Sequence, residues 1–184
     1  MVLLDRRVNG PQNEIMNDSS KSAKTVIVLA MHGTPPKDFP KAERKELFEL
    51  RAGLKHEEGS SVAFLTRHDF LYQKMRLWPR TAENDPFYVG SMELGHELAA
   101  QSGFRVIVGF NEFCDPDLDK AIREAVDLGA EKVVITTPMM TRGGGHSKGD
   151  IPDAIDRVQK QCPKTELIYA WPFPVSEIAK FLFS

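Results

Sequence analysis

The strongest signal along the chain is a repeated change of hydrophobic period. Short apolar runs at 25–30 (TVIVLA), 104–110 (FRVIVGF), 132–139 (KVVITTPM) and 165–173 (TELIYAWPF) alternate with longer stretches of helical spacing. Nearly continuous apolar runs of this kind are strands buried on both faces. Between them, 39–55 places Leu47, Leu50 and Leu54 on one helical face. Residues 85–103 read as a helix with Asp85 as N-cap, Pro86 at its first position and Gly103 as terminator. Residues 115–130 read the same way, with Asp115 as cap, Pro116 next and Gly129 past the end. A helix capped by Asp150 spans 150–162, and a last one spans 175–183. Strand–helix alternation predicts one α/β domain over 24–184, a three-layer, doubly wound parallel sheet.

Two regions fall outside this rhythm. Residues 1–23 are polar, rich in Asn and Ser and aperiodic, and are expected to form a mobile tail. Residues 56–84 are ambiguous; read as helix, they line up Phe64, Phe70, Leu71, Met75 and Trp78 as a packing stripe.

Composition narrows the function classes. A formal net charge of −2 supplies no bulk field for nucleic acid or an anionic membrane. The two cysteines, Cys114 and Cys162, have no CxxC spacing, which argues against a disulfide framework and fits a reducing cytoplasm. No apolar run approaches membrane-spanning length, and the opening MVLLDRRVNG has the wrong order for a secretory signal. A cytoplasmic protein is expected.

In an open α/β sheet, ligands bind where strands end. His32 follows the first strand, Glu112 the second and His146 the third. If the strands are parallel, two imidazoles and a carboxylate share one edge, a plausible site for a divalent metal with open positions. His146 lies beside Gly143, Gly144 and Gly145, which allow close backbone approach to a ligand. Arg142 and Lys148 flank it, and a helix starting at Asp150 would aim amides at the loop; together these suit substrate carboxylates. The loop has neither the phosphate-loop spacing nor GxGxxG, so no nucleotide is expected. No nucleophile elbow exists for a Ser–His–Asp triad. Cys114 is a weak nucleophile candidate, with no base nearby. His56, His68 and His96 lack a strand-end position. A histidine phosphatase would need Arg before the first His, where Met31 stands.

Taken in order, His32-Gly33, Phe110-Asn111-Glu112, Pro116, Gly129-Ala130, Pro138, Gly145-His146 and Asp150-Ile151-Pro152 resemble the CbiX-type, class II chelatases, which insert cobalt or iron into sirohydrochlorin. The resemblance covers about 24–34 and 86–184. It implies a chelatase-like fold, with His32, Glu112 and His146 as metal-binding and catalytic positions. It implies Co²⁺ or Fe²⁺ as a substrate, a tetrapyrrole as the other, a role in cobalamin or siroheme biosynthesis, and a homodimer. Two departures stand out: an insertion at about 35–85, which small members lack, and a glycine loop more polar than the usual Phe- and Leu-rich one. The competing reading is a carrier that binds metal or tetrapyrrole without turnover.

Overall fold

The computed structural model describes residues 24–54 and 61–184. The tail expected at 1–23, and His56, lie outside the described residues. Strand β1 (Thr25–Met31) is followed by α1 (Lys41–Leu54), α2 (Val62–Arg76) and α3 (Pro86–Ser102). Then come β2 (Arg105–Phe110), α4 (Leu118–Asp127), β3 (Lys132–Thr136), a π-helical turn (His146–Asp150), α5 (Ile151–Gln161), β4 (Glu166–Tyr169) and α6 (Val175–Phe183).

The four strands form one parallel sheet in the order β2-β1-β3-β4. Alternate residues of β1 serve different cores, as the period-two geometry of a strand requires. Val26, Val28 and Ala30 pack with Leu118, Ile122, Ile151 and Val158 of α4 and α5. Leu29 and Met31 pack with Val108, Phe110 and the α3 residues Phe87, Tyr88 and Met92. The sheet is therefore covered on both faces, in three layers, as its apolar strands predict.

Within the ambiguous stretch, Val62–Arg76 is a helix, α2, and it pairs with α1 over a third cluster: Phe39, Leu47, Leu71, Met75 and Phe113. Ion pairs Lys74–Glu43 at 2.7 Å and Arg67–Glu46 at 2.7 Å join the two helices. The predicted stripe is only partly right. Leu71 and Met75 are fully buried, but Phe70 is 56% exposed, because α2 buries one narrow face against α1.

Local cap chemistry holds at α3, where the Asp85 carboxylate accepts from the Tyr88 amide and Gly103 closes the helix at φ 71°. It needs correction twice. The α4 cap is Asp117, not Asp115, and accepts from the Lys120 amide. The chain runs on past β2 because the Phe110 amide donates to the Pro116 carbonyl, which delays the helix; Asp115 is drawn instead to Arg76 and Lys120. Asp150 makes no capping bond either. Its backbone is already helical, continuing the π turn, and its carboxylate is engaged by His146.

Candidate functional site

The loops after β1 and β2 are fixed side by side by the same kind of bond that makes the sheet. The Asn111 amide donates to the Met31 carbonyl at 2.8 Å, and the Glu112 amide to the His32 carbonyl at 3.0 Å. The parallel ladder thus runs two residues past the strands and delivers His32 and Glu112 together. Gly33 is required here. It sits at φ 85°, and a Cβ on it would lie 1.9 Å from the Glu112 carbonyl oxygen.

His146 reaches the same place from the loop after β3. Its Nε2 lies 3.6 Å from Glu112 Oε1, and its ring stacks against His32 with centroids 6.1 Å apart and planes 10° apart. The three residues predicted from strand ends do converge. His32 also packs against Phe87 of α3, at 4.2 Å between centroids.

Hydrogen bonds at the other ring nitrogens orient both imidazoles. His146 Nδ1 lies 2.5 Å from Asp150 Oδ2, and His32 Nδ1 lies 2.5 Å from the Gly33 carbonyl. With Nδ1–H donating to these oxygens, Nε2 carries the lone pair on each ring. A carboxylate behind an imidazole is a common way to orient a metal-binding histidine.

Glu112 has a partner that sequence reading missed. Arg51 of α1 donates from Nη2 to Glu112 Oε2 at 2.5 Å. The pair is separated by 61 residues, so no local pattern announces it. The next residue, Phe113, is a non-glycine in the left-handed region at φ 62°. That conformation costs of order 1–3 kcal/mol and persists only where surroundings enforce it. Here the Phe113 ring is buried in the α1/α2 cluster beside Phe48 and Tyr72, with the Arg51 guanidinium over it at 5.1 Å. Arg80 donates to the Phe113 carbonyl, to the Thr34 carbonyl at 2.8 Å and to Asp85 at 2.5 Å. Arg80 and Asp85 are almost wholly buried, at 5% and 0% exposure, and Arg80 ties the end of α2 to both site loops.

The glycine loop is the open side of the site. Residues 141–145 are exposed. Only Gly143 uses a left-handed φ, 94°; Gly145 is already helical at φ −54°. Arg142 and Lys148 are exposed, with no ion-pair partner among the described residues. The helix N-terminus expected at Asp150 is displaced to His146 by the π turn, where the Lys148 amide already bonds the Gly144 carbonyl. Beneath, Tyr169 donates to the Ser147 carbonyl at 2.8 Å, and burial pushes its phenol up to about 12.

A cavity of about 660 Å³ opens beside this cluster, lined among others by Tyr72, Arg76, Asn111, Lys120, Asp150 and Arg157. The two imidazoles and Glu112 do not line it; Asn111 and Asp150 are the links between cavity and cluster. Among the described residues, no group of three or more His, Cys, Asp or Glu side chains is arranged as a ready-made metal cage. Cys114 is buried, and burial pushes its thiol up, away from nucleophile chemistry. His96 is exposed on α3, and His68 stacks on Tyr72, away from the strand ends.

The CbiX family model matches residues 89–180, half of the 184-residue chain. The chain belongs to the CbiX family. The matched span contains Glu112, His146 and Asp150 but not His32 or Arg51. Among curated relatives, a sirohydrochlorin cobaltochelatase of Priestia megaterium is 39% identical over 96 residues, 52% of this chain and 30% of that protein. A sirohydrochlorin cobaltochelatase of Methanococcus maripaludis is 34% identical over 62 residues, 33% of this chain and 42% of that one. These matches thus span less than half of each relative's length. A solved structure, the sirohydrochlorin chelatase SirB of Bacillus subtilis subspecies spizizenii in complex with cobalt, aligns with TM-score 0.40 and 16% identity, covering 81% of this chain and 43% of that one. Among the described residues, no helix is long and apolar enough to cross a membrane.

Proposed function

We propose that the protein inserts a divalent metal ion, Co²⁺ or Fe²⁺, into a sirohydrochlorin-type tetrapyrrole without ATP, as a cytoplasmic enzyme of cobalamin or siroheme biosynthesis. The observation that carries this reading is the meeting of His32, Glu112 and His146 at one sheet edge, with Nδ1 of each imidazole held by an oxygen. The similarity to curated proteins named sirohydrochlorin cobaltochelatase supports it.

The reaction removes two pyrrole protons as the ion enters, so the protein must present a metal and accept protons. Neutral imidazole does both near neutral pH. His32 and His146 hold the ion through Nε2; as it passes to the macrocycle, one freed Nε2 takes one pyrrole proton and Glu112 Oε1 takes the other. The macrocycle lies over the exposed glycine loop, where Gly143, Gly144 and Gly145 let its face approach the backbone. The unpaired cations Arg142 and Lys148 meet its peripheral carboxylates.

The test is anaerobic mixing of protein, Co²⁺ and excess sirohydrochlorin, followed by absorbance. Repeated turnovers are expected, and His146→Ala should slow them by about 10²-fold or more. An unchanged rate in His146→Ala would reject the assignment. The second reading, a carrier without turnover, predicts a stoichiometric spectral shift and no acceleration.

A homodimer is part of the same proposal. Helix α6 has no buried residue and leaves Val175, Phe181, Leu182 and Phe183 exposed. Sedimentation velocity on the wild type and on Leu182→Glu tests whether this face joins two copies; a monomeric wild type rejects it.

A further inference from the structure

The inserted helices put a permanent positive charge on the carboxylate that the proposed chemistry needs for a metal. Resting on that reading of the site, we infer that Arg51 is a resident counter-cation for Glu112, which keeps metal affinity low so that the ion passes on to the tetrapyrrole.

Three observations lead there. Arg51 Nη2 sits 2.5 Å from Glu112 Oε2, while Oε1 of the same carboxylate faces His146 Nε2 at 3.6 Å. Guanidinium and metal therefore compete for one anion from opposite sides. The Glu112 side chain is only 16% exposed, so water screens this competition less than at an open surface. Arg51 is also held in place. Its guanidinium lies over Phe113, and Leu47, one turn earlier on α1, is fully buried in the α1/α2 cluster.

A chelatase without ATP gains nothing from a tight metal site, because an ion held too well is not released. A guanidinium cannot be deprotonated near neutral pH, so it opposes a dication at every working pH. As the ion leaves for the macrocycle, Arg51 re-forms its pair with Glu112 and the site returns to its resting charge. The insertion is thereby part of the metal-handling machinery.

The test is Co²⁺ binding to the full chain, without tetrapyrrole, by calorimetry and by the d–d absorption of the bound ion. Arg51→Gln should tighten Co²⁺ binding by about tenfold, since a full charge a few ångströms away in a partly screened site is worth at least that factor. The gain should vanish when Glu112→Gln is added, and Arg51→Gln alone should slow metallation turnover by retaining the ion. Thermal midpoints and near-ultraviolet circular dichroism check that each variant folds. Binding in Arg51→Gln that is unchanged or weaker, or a gain that survives Glu112→Gln, overturns the inference. An affinity that ignores His146→Ala overturns the metal site itself, and this inference with it.

Discussion

The two loops that carry Glu112 and His146 are built in opposite ways. The loop after β2 is clamped. Its amides extend the sheet, Phe113 is buried in the α1/α2 cluster in a left-handed conformation, and Arg80 grips its carbonyl. The loop after β3 is open. Residues 141–145 are exposed, one glycine takes a left-handed φ, and the histidine is steadied from within its own turn by Asp150. One wall of the site is thus fixed by packing and the other by a few hydrogen bonds. Such asymmetry suits the proposed reaction, which must hold a small ion accurately yet admit a large flat ligand.

The comparison breaks most visibly on the clamped side. Phe113→Ala removes a buried aromatic from the third core and should lower stability by about 3–5 kcal/mol, read from urea denaturation. It should also weaken Co²⁺ binding, because Glu112 loses its support. A loss under about 1 kcal/mol would mean that α1 and α2 do not fix this loop.

On the open side the effects are smaller. Tyr169→Phe leaves the Ser147 carbonyl without its donor and should cost about 1.5 kcal/mol. It carries a pH signature as well. The folded phenol titrates at about 12, above its unfolded value near 10, so the bound proton favours the folded state. That contribution is complete below about pH 10 and is lost as pH rises toward 12. Tyr169→Phe should flatten the fall of stability over that window; an unchanged slope would show that Tyr169 does not cause it.

Gly143→Ala should have the smallest effect. An added Cβ meets nothing within 4 Å, so only the left-handed backbone opposes it, at about 1 kcal/mol. Thermal denaturation measures that cost. Metallation kinetics then test the open wall: a raised KM with little change in kcat is expected if the loop's freedom serves the macrocycle.

Much of this molecule is legible from residue order. Continuous apolar strands require a sheet covered on both faces, and β1 divides its residues between two cores as expected. Asp85, Pro86 and Gly103 frame α3 because capping is a local interaction, complete within a few residues. His32, Glu112 and His146 could be chosen together because parallel strands bring their ends to one edge. Where a competing side-chain bond intervened, the local reading failed. Asp115 gave up its cap to pair with Arg76 and Lys120, and Asp150 gave up its own to hold His146.

The order of residues by itself determined the layers, the strand ends and the residue types gathered at one edge, because hydrophobic period and helix caps act between near neighbours. Only the tertiary structure decided that α1 and α2 border the candidate site. Arg51 meets Glu112, and Arg80 meets Phe113, across 61 and 33 residues, and no short-range pattern encodes which charges will be neighbours once the chain is packed.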